Sequence, residues 1–387
     1  ATDRWYLADG TAEVEGEGVG LVVMNPTSAD AVVDIVVSTE RENVRPGPLQ
    51  GVVLPPGRVK GFDLNRFALG AATVGARVTA AVGRVSVAGV GSSDSGLRAT
   101  IGAPDLQRRW YLPGAGDGAR SELVIEASGA EVPFQARAQG PEGQVPALEQ
   151  ATVRGDGIRT FIVATGGGAL LAEAEGPAGF VAARRSSFAG TGVAAPEEPV
   201  PTETPAPPAT PSPSPTETAS PSPTETVSPS PTPTPSPNRS PRRDRRRDRR
   251  GREEQPSGET VDRAATGGSP VAATGWVVLP ATGPQGGRSI LQIQNPGARP
   301  VTAAVTLFGT DGPVGADGLD AVNVPAGRSV SIRLDDITPD PVTAVVRASG
   351  GVVAAQVAVD PRAYAFSLGS PASSVLTGSS SGIILGP

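Results

Sequence analysis

Three short stretches of the chain open alike: Arg4-Trp5-Tyr6-Leu7, Arg109-Trp110-Tyr111-Leu112-Pro113 and Gly275-Trp276-Val277-Val278-Leu279-Pro280. Trp5 and Trp110 are 105 residues apart, and Trp110 and Trp276 are 166 apart. The first and third copies stay in register further along. Asn25-Pro26 follows Trp5 by 20 residues, and Asn295-Pro296 follows Trp276 by 19. Leu54-Pro55-Pro56-Gly57-Arg58 matches Val324-Pro325-Ala326-Gly327-Arg328, and Leu64-Asn65 matches Leu334-Asp335. Both copies close on long Val/Ala runs, Val78–Val90 and Val342–Val357. The middle copy is more diverged. It keeps the opening, an apolar run at Leu123–Ile125, a Gly155-Asp156-Gly157 turn and closing runs at Ala169–Glu173 and Gly179–Arg184. Self-similarity at this period marks a repeated module.

Each landmark has a physical role. The chain is only 4% aromatic, so a Trp on the first strand supplies a large part of each core. Pro cannot donate to a ladder, so Asn-Pro ends a strand. Short Val/Ala/Leu runs alternate with polar residues and are separated by turn residues every 8–12 positions. No 12-residue helical stripe interrupts them. The fold expected is all-β: tandem immunoglobulin-like antiparallel β-sandwich modules at 1–102, 103–192 and 271–387. A module of this size without disulfides buries about 60–65% of its unfolded surface, so its stability depends on its neighbours.

Residues 193–270 read differently. From Pro196 to Pro241 there are 17 prolines in 46 residues, and Ser-Pro-Ser-Pro-Thr-Glu-Thr occurs at Ser212–Thr218 and Ser220–Thr226. Alternating Pro removes every second amide donor, so neither helix nor sheet can form, and solvated polyproline II is expected. Between Arg239 and Arg252, nine Arg face two Asp, a local charge of +7 that keeps the segment open. This is the expected disordered linker, Pro/Ser/Thr-rich and then Arg-rich. A flexible insertion adds only ~0.6 kcal/mol of closure penalty per doubling of length, so it leaves the second and third modules free to pack together.

Composition narrows the chemistry. The 387 residues include no Cys, no His and one Met, against 50 Gly and 41 Pro, with net charge −6. Thiolate nucleophiles, disulfides, thiolate zinc cages, imidazole bases and imidazole metal ligands are therefore excluded. No run of 18 or more uncharged apolar residues is present, so no membrane-spanning segment is expected in this chain. The first residue is Ala1, which fits removal of a signal peptide or an anchor.

The RWYL(P) opening, the strand ending in Asn-Pro, the Val-Pro-x-Gly-Arg turn and the Leu-Asn/Asp step resemble an uncharacterised family of secreted or membrane-anchored actinobacterial proteins, a domain-of-unknown-function family. The resemblance covers the modules and not the linker. It implies tandem β-sandwich ectodomains in an extracellular or cell-envelope setting, and it carries no catalytic residues or cofactor.

Other motifs read as structure. Leu279-Pro280-Ala281-Thr282-Gly283 matches a sortase pentapeptide but lacks the terminal context of one. Gly16–Gly20 precedes a strand rather than a helix and reads as a turn. Asp311, Asp317 and Asp320 sit in a Gly-rich loop that reads as hairpin turns rather than a calcium site. Glu13, Glu15 and Glu17 read as a solvated face. Asn238-Arg239-Ser240 is a sequon, discounted in a bacterial setting.

Two sets of candidate ligand contacts remain. Adjacent strand residues point to opposite faces, so with each Trp in the core, Tyr6 and Tyr111 face outward, where they could contact sugars. Arg242, Arg243, Arg245, Arg246, Arg247, Arg249 and Arg250 could grip an anionic polymer through many weak, salt-dependent contacts. No aromatics accompany them, so specific nucleic-acid binding is not expected. The function expected is non-catalytic: a secreted or envelope protein with a structural or adhesive display role. The alternatives are a module binding glycan or wall polymer, and an accessory ectodomain for envelope polysaccharide assembly that needs an envelope protein partner.

Overall fold

The computed structural model describes residues 1–12, 18–93, 96–114, 119–165, 167–188, 263–281, 288–360 and 363–372. Among these there is no α-helix; two single 3₁₀ turns, Gly47–Leu49 and Asn65–Phe67, accompany 26 strands. The first module contains β1 (Arg4–Gly10), β2 (Gly18–Met24), β3 (Ala31–Thr39), β4 (Asn43–Val44), β5 (Val52–Leu54), β6 (Val59–Asp63), β7 (Val74–Val82), β8 (Ser86–Ser93) and β9 (Gly96–Ile101). The second contains β10 (Arg109–Leu112), β11 (Ala119–Ala127), β12 (Val132–Gly140), β13 (Gly143–Val153), β14 (Ile158–Val163), β15 (Ala169–Ala174), β16 (Phe180–Phe188) and β17 (Arg263–Gly267). The third contains β18 (Ala273–Val278), β19 (Arg288–Asn295), β20 (Val301–Gly309), β21 (Gly312–Val314), β22 (Val322–Val324), β23 (Arg328–Arg333), β24 (Thr343–Asp360), β25 (Ala363–Leu368) and β26 (Ser370–Pro371).

All three modules have the same two-sheet plan, antiparallel throughout. One sheet runs β1-β7-β3 in the first module, β10-β15-β12 in the second and β18-β24-β20 in the third. The facing sheet runs β6-β2-β8-β9, β14-β11-β16-β17 and β23-β19-β24-β25. The Val78–Val90 run, legible as one apolar stretch, divides at Gly83 into β7 and β8, one in each sheet. In the third module the corresponding β24 is continuous and serves both sheets.

The Trp environments agree atom by atom. Each indole Nε1 donates to the backbone carbonyl of the residue at the same point of the closing run: Trp5 to Val85 at 2.7 Å, Trp110 to Phe180 at 2.6 Å and Trp276 to Val352 at 2.6 Å. Each indole also packs on a glycine of the last segment. A Cβ on Gly102, Gly268 or Gly369 would sit 3.1, 3.1 or 3.0 Å from the indole Cε3. Those glycines belong to Gly102-Ala103-Pro104, Gly268-Ser269-Pro270 and Gly369-Ser370-Pro371, a closing signature that the sequence reading did not use. In the first two modules the next Trp follows the Pro by six residues.

The other landmarks also do what their chemistry requires. Buried Asn25 donates through Nδ2 to Ala29 and Leu54 carbonyls, and buried Asn295 to Arg299 and Val324. Gly57 (φ +65°) and Gly327 (φ +64°) take the left-handed position of the Pro-x-Gly-Arg turn, where any side chain is strained. The middle module places Asp156 (φ +54°) at that position, a residue type tolerated there more readily than most. The Gly309–Asp320 loop includes the Gly309–Gly312 hairpin, with Gly312 and Gly318 at positive φ, as the turn reading expects.

One boundary differs from the sequence reading. Composition places residues 263–270 in the linker, yet Arg263–Gly267 forms β17 against β16, with Ser187 opposite Arg263, and Ser269 bridges to Tyr111. The equivalent hairpin closes over two residues in the first module, between Ser93 and Gly96, and over two in the third, between Asp360 and Ala363. The described ends on either side of 189–262 therefore pair where a two-residue turn closes the hairpin in the sister modules. Residues 189–262 do not join module two to module three. The remainder of the expected linker, 193–262, lies outside the described residues. The described parts of all three modules fall into one compact unit.

Candidate functional site

Sheets of a lone sandwich have one dry face and one wet face. Here the outward faces are used for docking, always with the same polarity. The β1-β7-β3 face of module one meets the β14-β11-β16 face of module two, and the β10-β15-β12 face of module two meets the β23-β19-β24 face of module three.

The tyrosines mark this. The expectation that Trp and Tyr point to opposite faces holds. Tyr6 and Tyr111 nonetheless are not exposed, being 3% and 8% accessible. Tyr6 packs with core residues of module two, and Tyr111, with Leu171, packs with those of module three. Neither is a ligand platform, because the surface each presents is covered by the following module. Arg242, Arg243, Arg245, Arg246, Arg247, Arg249 and Arg250 lie outside the described residues, as do Glu13, Glu15, Glu17, Asn238 and the Thr282-Gly283 end of the pentapeptide.

The first junction is charged. Glu126 of β11 is buried; its Oε1 accepts a hydrogen bond from Ser38 Oγ of module one at 2.9 Å, and its Oε2 has no partner. Burial raises its pKa to about 7, against the lowering effects of Ser38 and of Arg77; Asp156 adds to the rise. Close by, Arg77 Nη1 of module one reaches Asp156 Oδ1 at 2.9 Å and also bonds Ser128 Oγ. That guanidinium holds the Asp156 carboxyl below its usual range. Buried Arg185 of β16 donates to the module-one carbonyls of Ala72, at 2.9 Å, and Gly10, and lies 3.9 Å from Glu122. The hydroxyls of Thr73 and Thr160 meet at 2.6 Å.

The second junction uses amides, a hydroxyl and one guanidinium, with no carboxylate among these contacts. Gln294 Nε2 donates to Gln139 Oε1 and, at 3.2 Å, to the Leu170 carbonyl. Ser329 Oγ donates to the Gln139 carbonyl at 2.6 Å, and Arg328 donates to the Pro141 carbonyl at 2.7 Å.

The two junctions use equivalent positions. Ser38 lies opposite Gly75, two residues before the Tyr6 partner Arg77; Gln139 lies opposite Ala169, two residues before the Tyr111 partner Leu171. Glu126 and Gln294 each precede by one the residue opposite the Trp-bonded carbonyl. One backbone docking geometry therefore brings together Ser38 with Glu126, and Gln139 with Gln294. The sequence carried no sign of this pairing, because the partners are 88 and 155 residues apart.

A cavity of about 250 Å³ lies where the three closing segments approach each other, lined by residues including Tyr6, Ala103, Trp110, Ser269 and Ser370. It is smaller than the ~300–1,000 Å³ of ordinary ligand pockets.

Residues 263–370 match the model of a family of unknown function (DUF5719). The match runs from β17 to the Gly369-Ser370 closing step, and so covers the third module together with the last strand of the second. No curated protein and no solved structure matches the chain. Among the described residues no helix is long and apolar enough to cross a membrane.

Proposed function

We propose that this is a non-catalytic protein of the cell envelope or of the secreted fraction, in the actinobacterial setting that the sequence resemblance implies, with a structural and adhesive display role. The observation that carries this reading is where the chain leaves and re-enters module two, at the paired ends of β16 and β17. Those ends are held side by side by the β16–β17 ladder, at a hairpin that needs only two residues in the sister modules. The three docked modules then serve as a body, and the Pro/Ser/Thr- and Arg-rich segment is what that body presents. The partner class is a wall glycan or an anionic polymer, recognised by the arginines of 242–250 through charge. An envelope protein partner remains the alternative reading, favoured by the exposed apolar side chains of Met24, Val59 and Ile101 on one sheet face.

The test is a glycan and wall-polymer array with the full chain and with a chain whose residues 189–262 are replaced by Asp-Gly, at two salt concentrations. Binding that disappears with the segment and weakens steeply with salt supports the reading. Binding that survives the replacement would move recognition to the modules. Silence in both leaves only the structural part.

A further inference from the structure

Among the described residues, the docking polarity leaves two faces that no module covers. One is the β6-β2-β8 face of module one, equivalent to the surface that receives a preceding module. The other is the β18-β24-β20 face of module three, equivalent to the surface that meets a following one.

Their residues can be named by register. On the first face, Met24 occupies the position of Glu126 and Gln294: it lies opposite Ser86, as Glu126 lies opposite Val181 and Gln294 opposite Val353. Its cross-strand neighbour is Val59. Met24, Val59 and Ile101 are 41%, 58% and 77% accessible, and Val22, Ala88 and Val90 beside them are half-buried. On the second face, Val277 replaces Tyr6 and Tyr111 and lies opposite Val345, which lies opposite exposed Thr306. Two residues along, Phe308 lies opposite Thr343, the position of Ser38 and Gln139. Phe308 is half-buried.

The paired positions therefore carry matched chemistry in each case. Ser38 meets Glu126, and Gln139 meets Gln294; the unused pair is Phe308 and Met24, the single methionine of the chain. Thioether and aromatic ring form a favourable contact worth ~0.3–1.5 kcal/mol. A face left to water at this position would be expected to carry a polar residue, as terminal repeats do. We propose that a second copy of this chain docks head to tail, the β18-β24-β20 face of one copy on the β6-β2-β8 face of the next, with Phe308 against Met24. That contact continues an interface made twice within the chain. It goes beyond the display reading and does not depend on what segment 189–262 binds. Such a contact is heterologous, so it propagates into rings or open chains rather than closing as a two-fold dimer.

Sedimentation velocity on the full chain over a wide concentration range tests it. The wild type should pass from monomer to dimer and to longer species. Met24→Glu and Phe308→Asp should each remain monomeric, with unchanged thermal unfolding. Val59→Lys and Thr306→Arg, at exposed sites on the same two faces, should do the same and guard against a fold defect. An equimolar mixture of M24E and F308D keeps one intact face on each partner, and should give a dimer that grows no further. A wild type that stays monomeric throughout overturns the proposal. So does an F308D chain that dimerises alone, since that would mean two-fold pairing of Met24 faces, and so does failure of the mixture to pair.

Discussion

The two junctions of this molecule share one backbone arrangement and differ in chemistry. At the first, a buried carboxyl, a buried guanidinium and an Arg77–Asp156 pair are brought together. At the second, the positions of Ser38 and Glu126 hold the glutamines Gln139 and Gln294, Ser329 adds a hydroxyl, and Tyr111 and Leu171 merge into the core of module three. Sheet shape and strand register fix where the modules meet. The side chains at a few register positions then decide how the junction responds to pH and to mutation.

The sharpest way to break the comparison is Arg185→Ala. It removes the guanidinium that satisfies the Ala72 and Gly10 carbonyls and should destabilise the protein by about 3–5 kcal/mol, measured by denaturant unfolding. Arg328→Ala at the second junction, where the side chain is only partly covered, should cost less than about 1 kcal/mol. If the two substitutions cost the same, the contrast between the junctions fails.

Replacing 189–262 with Asp-Gly should make the closing hairpin of module two like those of its sisters. By loop-closure entropy it should stabilise the fold by up to about 3 kcal/mol. A loss of stability would show that the segment contributes contacts of its own.

Glu126 gives the first junction a pH dependence that the second lacks. Its folded pKa, about 7, is above the unfolded value of 4.5. The protonated form is therefore the one the fold favours. Stability is full below about pH 4.5, falls as pH rises through 7 and levels off above it. Glu126→Gln should flatten that profile and gain roughly 2–3 kcal/mol above pH 8, visible as a raised Tm. A wild-type Tm that is flat between pH 5 and 8 would remove the charged junction as a pH-sensitive element.

A more modest effect belongs to the amide pair. Gln139 Nε2 and Gln294 Oε1 are buried without partners. Gln139→Leu alone should cost about 1–2 kcal/mol, because it leaves the buried Gln294 Nε2 only the Leu170 carbonyl, whereas Gln139→Leu with Gln294→Leu should be close to neutral. A double-mutant cycle in chemical denaturation separates the two.

Much of the module was legible in the residues. The Trp, Asn-Pro and Pro-x-Gly-Arg landmarks sit where local chemistry alone demands them: an indole in a core poor in aromatics, an amide closing a turn, a glycine at positive φ. The Gly-Ala/Ser-Pro closing step was equally visible, three times over, and would have placed the end of module two at Pro270. The tyrosines were read correctly as to direction and wrongly as to exposure. Alternation tells which face a side chain takes and says nothing about what lies against that face.

By itself the sequence determined the period-2 strands, the turns, three copies of one unit and a proline-rich interruption, because each follows from dihedral limits and hydrogen-bond donors within a few residues of chain. The tertiary structure decided that the interruption sits inside a hairpin, that Tyr6 and Tyr111 are covered, and that Ser38 and Gln139 meet Glu126 and Gln294. Those outcomes depend on sheet faces brought together across 88 and 155 residues, a distance over which no local rule acts.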